Sequence, residues 1–150
     1  GTALERNIMI RLLETGQDIV LDCDEEQINQ IMRNLLGNAL KFSEPFSEID
    51  IQLSVQNNIA EVAVVDRGIG IPECELEKVF AKFEQSSKTN SGAGGTGLGL
   101  AICREFVSLH QGTISAHSNE YGGATILVRL PLNIDLPQHL ATEEQTMKLN

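Results

Sequence analysis

The chain has 150 residues, 41% of them apolar, and a formal net charge of -10. One domain with one hydrophobic core fits this length. The acidic balance argues against a nucleic-acid-binding protein, because nucleic-acid phosphates attract basic surfaces. No apolar run reaches the ~20 residues that span a bilayer, and no signal-peptide pattern opens the chain, so we expect no direct membrane contact. The cysteines are widely spaced, which predicts neither a disulfide framework nor a zinc site and fits a reducing cytoplasm.

Two short strands open the chain and precede its longest predicted helix. We expect the strands at residues 7–13 and 18–22, joined as a hairpin by a turn at Thr15-Gly16. Apolar side chains then recur at spacings of three and four from residue 24 to residue 42. This spacing predicts an amphipathic helix with Asp24 as its N-cap.

A second pair of strands is predicted in the middle of the chain. Residues 49–55 alternate between apolar and polar, residues 59–65 are almost continuously apolar, and Asn57-Asn58 should form the turn between them. A short helix is expected over residues 73–80, because a proline precedes it and acids fill its first turn. Residues 81–96 are polar and rich in serine and glycine. A loop of this length in a compact domain is usually functional or disordered.

The last third of the chain adds a helix and two strands. The helix is predicted over residues 98–109 and should close near Gly112. Strands are expected at residues 113–117 and 125–130, with Gly122-Gly123 as their turn.

This order of elements predicts an α/β (α+β) two-layer sandwich, in which helices cover one face of a mixed sheet. We expect one domain at residues 1–133. Residues 134–150 have weak periodicity and should form a tail that is either a linker or a docking helix.

One face of the long helix carries an unusual set of polar side chains. At about 100° per residue they fall in one stripe beside the apolar positions. Solvated helix faces more often use Glu and Lys, so amides in this position suggest a polar ligand. Gly37 costs ~1 kcal/mol relative to alanine, which close approach of a ligand or backbone would justify. A hydrated face with a packing glycine is the alternative. The stripe consists of Gln27, Gln30, Asn34, Asn38 and Lys41.

Three positions suggest how a nucleotide could be held. The amide oxygen of Asn38 is a hard ligand that can join triphosphate oxygens around Mg²⁺, and Lys41 can reach a phosphate. Asp66 ends an apolar strand, so its carboxylate needs a donor, which the exocyclic amine of adenine would supply. The alternative is a turn-forming aspartate that bonds the backbone after it. Glycines at residues 94–99 could aim backbone N–H groups at an anion, or could form a simple hinge.

In order, spacing and residue type, these segments resemble the ATP-binding catalytic domain of sensor histidine kinases. The resemblance covers about residues 7–132 and implies the Bergerat-type fold of DNA gyrase, MutL and the Hsp90 chaperones, with ATP between helices and a mobile lid. The matching segments are residues 34–43 (NLLGNALKFS, asparagine box), 66–72 (DRGIGIP, first glycine box), 80–85 (FAKFEQ, phenylalanine box), 95–100 (GTGLGL, second glycine box) and 122–125 (GGAT, last turn).

The resemblance implies roles for individual residues. It places Asn38 on Mg²⁺, Asn34 and Lys41 on the phosphates, and Asp66 on the adenine amine. The catalytic group would then consist of the three residues on the long helix, Asn34, Asn38 and Lys41. Gly68 and Gly70 would shape the adenine turn, with Thr125 supporting it through water. The lid hinge and the phosphate-facing amides would come from Gly95, Thr96, Gly97, Leu98 and Gly99.

The chain departs from the family pattern at two positions. Asn90 stands where many relatives carry a basic lid residue, so the lid contact to phosphate passes to Lys88. Tyr121 stands in the last turn where glycine is common. Phe80 and Phe83 would anchor the lid by packing, although an ordinary core aromatic is compatible with both and is the favoured interpretation for Phe80.

Asn34 favours phosphoryl transfer over hydrolysis. The hydrolytic relatives carry a glutamate there as general base, and an amide cannot accept that proton. The three histidines lack the acidic neighbour of a phosphorylated helix and are expected to be structural: His110, His117 and His139. The resemblance therefore implies a protein-histidine kinase domain whose acceptor lies on a separate dimerisation and phosphoacceptor helical hairpin. A response regulator receiver domain would act downstream.

Two other functions stay open at this point. One is an ATPase of the gyrase or chaperone type. The other is a nucleotide-gated binding module, or a serine kinase of the anti-sigma type.

The expected cofactors are ATP and Mg²⁺, and the expected location is cytoplasmic, in a full-length protein that can be anchored in the inner membrane.

Overall fold

The computed structural model describes residues 7–13, 16, 18–81, 99–133 and 146–149. Its strands and helices follow the predicted order closely. In chain order they are β1 (Met9–Leu13), β2 (Ile19–Asp22), α1 (Glu25–Phe42), β3 (Glu48–Gln56), β4 (Ile59–Val65), two 3₁₀ turns (Glu73–Glu75 and Lys78–Phe80), α2 (Gly99–Leu109), β5 (Thr113–Ser118), β6 (Ala124–Pro131) and β7 (Thr146–Leu149).

Five strands form one mixed sheet in the order β1-β3-β4-β6-β5. β1 runs parallel to β3, and the other neighbours are antiparallel. Side chains of α1 and α2 share one hydrophobic core with the sheet, and Ile31, Leu35 and Val107 are among its fully buried members. The two-layer fold predicted from the sequence is therefore confirmed.

α1 begins and ends where the sequence predicts. The Asp24 carboxylate accepts the Gln27 N–H at 3.1 Å, which satisfies one of the free donors of the first turn. At the other end, the backbone N–H and the hydroxyl of Ser43 both donate to the Ala39 carbonyl, at 3.1 and 2.5 Å. The turn between β3 and β4 is also confirmed, because Asn57 and Asn58 both adopt positive φ, as a tight hairpin requires.

The hairpin predicted for the first two strands is wrong. Gly16 does adopt a turn-like φ of +82°, but β1 pairs in parallel with β3, and β2 pairs antiparallel with β7. A parallel pair needs a long crossover, and here α1 lies within the connection between β1 and β3. This register sets Arg11 opposite Asp50, where the two side chains form an ion pair.

The structure differs from the prediction in two further segments, the short helix at residues 73–80 and the C-terminal tail. The helix predicted over residues 73–80 is two 3₁₀ turns, with Glu75 N–H bonded to the Pro72 carbonyl at 2.8 Å. A segment this short cannot offset the nucleation cost of a regular α-helix. In the predicted tail, residues 146–149 form β7 rather than part of a docking helix, and residues 134–145 lie outside the described residues.

His110 fastens α2 to the start of α1. Its side chain is buried, its Nδ1–H donates to the Phe106 carbonyl at 2.8 Å, and its Nε2 accepts the Asp24 N–H at 2.9 Å. This arrangement requires a neutral ring with the proton on Nδ1. The structural role expected for this histidine is confirmed.

Replacing His110 with alanine should therefore destabilise the domain. We expect His110→Ala to lower the free energy of unfolding by about 2–4 kcal/mol, because it removes two part-buried side-chain hydrogen bonds and leaves a cavity where a buried ring stood. Urea denaturation with an unchanged m-value measures this loss. The control is His117→Ala, at an exposed position of β5, where the change should stay within ~0.5 kcal/mol. Equal losses in the two variants would contradict the bridging role.

Candidate functional site

Asp66 follows β4 directly, and its carboxylate is held by two backbone groups. Oδ1 accepts the Gly68 N–H and the Ala124 N–H, each at 3.0 Å. Burial raises the pKa of the Asp66 carboxyl above its ordinary value, and the two N–H groups partly offset that rise. No described residue donates to Oδ2. The turn-forming alternative is thus correct for Oδ1, and a ligand would have to bond to Oδ2.

The glycines around Asp66 allow backbone segments to touch. A Cβ on Gly68 would overlap the Phe42 carbonyl, and one on Gly123 would overlap the Asp66 carbonyl. Gly70 combines a φ of +76° with a position where a Cβ would lie 2.5 Å from the Gly122 carbonyl oxygen. Only glycine fits such approaches. The first glycine box therefore packs against the end of α1 and against the β5–β6 turn.

Asn119 organises the β5–β6 turn, and the sequence analysis missed it. Its Nδ2 donates to the Asp66 carbonyl at 2.9 Å and to Thr125 Oγ1 at 3.2 Å. Its Oδ1 accepts the N–H groups of Tyr121 and Gly123, at 3.0 and 3.1 Å. An asparagine three residues before a glycine pair is typical of a turn, and this was the signal available in the sequence. Through this side chain, Thr125 is connected to Asp66.

The polar stripe of α1 meets the first residue of α2. Asn34 Nδ2 donates to the Gly99 carbonyl at 3.3 Å, and Asn34 Oδ1 accepts the Gln30 amide at 3.1 Å. Asn38 is half-buried, and its side chain makes no hydrogen bond to the described part of the chain. Lys41 Nζ lies 5.3 Å from the Phe42 ring centroid.

Gly37 is exposed on the same helix. No described atom lies within 4 Å of a Cβ built on it. A packing contact with the described residues therefore does not explain the glycine, and its exposure agrees with either a hydrated helix face or a ligand-binding one.

The described candidate residues form two groups that α1 connects. Asp66, Gly68, Gly70 and Thr125 gather where β4 meets the β5–β6 turn. Asn34 and Gly99 are in contact at the junction of the two helices. The contact of Gly68 with Phe42 brings the first group to the end of the helix that carries the second. The other predicted lid residues lie outside the described residues: Phe83, Lys88, Asn90, Gly95, Thr96, Gly97 and Leu98.

Among the described residues, no three histidine, cysteine or carboxylate side chains come close enough to hold a metal ion. The helices of this part of the chain are also too short or too polar to cross a membrane.

Known proteins with similar sequences and folds were compared with this chain. Residues 23–134 match the family of histidine kinase-, DNA gyrase B- and HSP90-like ATPases. Sensor histidine kinase WalK of Bacillus subtilis is 39% identical over 118 residues, which are 77% of this chain and 19% of that protein. The nucleotide-free catalytic domain of histidine kinase ThkA has a TM-score of 0.77 and 26% identity, over 89% of this chain and 85% of that chain.

A second solved structure contains histidine kinase ThkA in complex with the response regulator protein TrrA. It matches with a TM-score of 0.74 and 27% identity, over 87% of this chain and 36% of that chain. The present chain spans less than a fifth of the length of the first curated relatives it matches, between 9% and 19%. The chain therefore belongs to the histidine kinase-, DNA gyrase B- and HSP90-like ATPase family and has the fold of a histidine kinase catalytic domain.

Proposed function

We propose that this domain binds Mg²⁺-ATP and donates the γ-phosphoryl group to a histidine on a separate dimerisation and phosphoacceptor hairpin. The observation that carries the proposal is the hydrogen bonding of the Asp66 carboxylate. One carboxylate oxygen is fixed by two backbone N–H groups, and the other accepts nothing from the described residues. A fixed acceptor of this kind suits the exocyclic amine of adenine.

The opposite end of the nucleotide would lie along the polar stripe of α1. Asn38 would hold Mg²⁺ through its amide oxygen, and Asn34 and Lys41 would contact the phosphates. Since the described residues contain no metal-binding cluster, phosphate oxygens and water would complete the metal's ligands, which is how proteins usually hold Mg²⁺. The metal would neutralise phosphate charge, and the protein would position the reactants.

Asn34 supports transfer rather than hydrolysis. Its Oδ1 accepts the Gln30 amide and its Nδ2 donates to the Gly99 carbonyl, so this side chain has no basic atom to receive a proton from water. This disfavours the gyrase-type or chaperone-type ATPase. A serine kinase of the anti-sigma type and a nucleotide-gated binding module differ in their acceptor, and the transfer experiment below separates them.

Partners and domain limits follow from the same proposal. The match to a kinase in complex with a response regulator supports a receiver domain as the downstream partner. We place the catalytic domain at residues 1–133 with a tail at 134–150, and we place the domain in the cytoplasm, in a full-length protein that the inner membrane can anchor.

Asp66→Asn tests the adenine contact with minimal change of shape. The amide oxygen can still accept the Gly68 and Ala124 N–H groups, but the amide nitrogen cannot accept the adenine amine. We expect ATP affinity to fall about 10- to 150-fold by calorimetric titration, the range for losing a hydrogen bond to a charged group. GTP affinity should change far less.

The matched control is Glu61→Gln, the same chemical change on an exposed ion pair of β4. It should bind ATP like the parent. An Asp66→Asn variant that remains folded and keeps the parental ATP affinity would refute the adenine assignment.

Asn38→Ala tests the metal contact. We expect the parent to bind ATP more tightly with Mg²⁺ than without it, and Asn38→Ala to lose most of that difference while its metal-free affinity stays near the parental value. Titrations with and without Mg²⁺ measure both quantities. Gln27→Ala is the control, because Gln27 lies on the same stripe eleven residues away, ~16 Å along the helix axis. Equal Mg²⁺ dependence in Asn38→Ala and the parent would contradict the assignment.

Phosphoryl transfer distinguishes the candidate functions. We expect slow phosphate release from the domain with Mg²⁺-ATP alone, and labelling of an added acceptor hairpin that carries a histidine. The labelled product should be lost in acid and survive alkali, as phosphohistidine does. Rapid phosphate release would indicate an ATPase. Acid-stable, alkali-labile label on a protein acceptor would indicate a serine kinase, and binding with neither product would indicate a binding module.

A further inference from the structure

A group of charged side chains lies next to the turn that follows Asp66. Asp50, 4% exposed, sits at its centre and is bonded twice by Arg11, at 2.8 and 3.1 Å. Arg67 reaches Glu48 at 3.2 Å and Asp50 at 3.5 Å. The Arg11 guanidinium holds the pKa of Asp50 below its ordinary value, so this carboxylate is ionised at neutral pH. We call this group, completed by Tyr121, the arginine cluster.

The ion pairs of Arg67 with Glu48 and Asp50 do not satisfy its whole guanidinium. Its Nε–H is buried and lacks a hydrogen-bond partner among the described residues. An unpaired buried donor weakens the folded state. These ion pairs are only part of what holds the Arg67 side chain in this position.

The Arg67 guanidinium stacks on a residue of the opposite turn. Its Cζ lies 4.0 Å from the centroid of the Tyr121 ring, a close cation–π contact. Tyr121 is 44% exposed, so the hydrophobic core does not account for this aromatic ring. It also stands where the family pattern commonly has glycine. The stack is thus an additional connection between the segment after Asp66 and the β5–β6 turn.

The same two segments hold the Asp66 carboxylate. Gly68, in the first segment, and Ala124, at the end of the β5–β6 turn, both donate to Oδ1. The direction of Oδ2 therefore depends on how these two segments are placed relative to each other. Arg67 is the neighbour of Asp66, and Tyr121 is held in its turn by Asn119. Their stack therefore joins the segment after Asp66 to the β5–β6 turn at the arginine cluster.

We propose that Arg67 and Tyr121 form a positioning pair that determines how well this site selects adenine nucleotides. This inference rests on the proposed ATP-binding function. Neither residue needs to touch the nucleotide. By joining the two segments, the pair keeps Asp66 Oδ2 in one direction, so that the adenine amine finds its acceptor preorganised.

Variants of Tyr121 test the proposal most directly. Tyr121→Leu keeps an apolar side chain and removes the aromatic face, while Tyr121→Phe keeps the face and removes the hydroxyl. We expect Tyr121→Leu to weaken ATP binding about 3- to 20-fold, within the range of a cation–π contact, and Tyr121→Phe to bind like the parent. Arg67→Lys, which keeps the charge without the planar group, should behave like Tyr121→Leu.

Two further readouts separate positioning from a general loss of structure. The ratio of ATP affinity to GTP affinity should fall in Tyr121→Leu, whereas general destabilisation would reduce binding of both nucleotides. The rate of phosphoryl transfer at saturating ATP should stay near the parental value, because the phosphate end is not altered. Urea unfolding of each variant shows that binding is measured on folded protein.

The outcomes are distinct. Parental ATP affinity and selectivity in Tyr121→Leu, in a parent that binds ATP, would overturn the positioning pair and leave the proposed function intact. An equal loss in Tyr121→Phe and Tyr121→Leu would also overturn it, because the aromatic face would not matter. A parent that binds no ATP would overturn the proposed function and this inference with it.

Discussion

The paired hydrogen bonds to Asp66 Oδ1 are the constraint on which the site depends. A carboxylate at the end of a buried strand is unfavourable unless donors surround it. Here the donors are backbone N–H groups of two separate segments, at Gly68 and Ala124. Both segments come close to the same oxygen, and a Cβ on Gly123 would overlap Asp66 itself, whereas a Cβ on Gly68 would overlap the Phe42 carbonyl. The glycine at position 123 is thus a consequence of how the carboxylate is satisfied, and the glycine at position 68 is a consequence of how the same turn packs on the end of α1.

The same packing fixes α1 at both ends. At its C-terminus, the Phe42 carbonyl lies against Gly68, so the helix is held to the Asp66 turn. At its N-terminus, the Asp24 N–H is bonded to buried His110 of the α2 end. Between these two points lies the polar stripe. A helix fastened in this way can present Asn34 and Asn38 at a constant distance from Asp66, which is what recognition of both ends of one ligand requires.

Sequence patterns predicted the helices, strands and turns more accurately than they predicted which segments pair with each other. α1, its N-cap and the Asn57-Asn58 turn depend on nearby residues, and these predictions were confirmed. The pairing of β1 with β3 depends on a segment almost forty residues away, so the Thr15-Gly16 turn signal alone misled. The roles of Asn119 and of the contact between Arg67 and Tyr121 were missed for the same reason, since each joins segments that are distant in sequence.

The lid is the part of the candidate site that sequence periodicity does not predict. Periodicity predicts helices and strands because it reports which side of an element is buried. The stretch from residue 81 to residue 96 is polar and has no such periodicity, so the sequence predicts no regular element there. The second glycine box ends in α2, where Gly99 is the first residue of the helix and Asn34 donates to its carbonyl.

That contact also explains why an amide suits position 34. The side chain must donate to the Gly99 carbonyl and accept from the Gln30 amide at once, and only a group with both a donor and an acceptor can do so. A glutamate there would direct carboxylate oxygens at a carbonyl with no hydrogen to share, and the α1–α2 junction would lose its polar contact. The residue that closes the junction between the helices is therefore one that cannot take a proton from water. The packing requirement at the helix junction therefore selects the same kind of side chain that the proposed transfer function calls for.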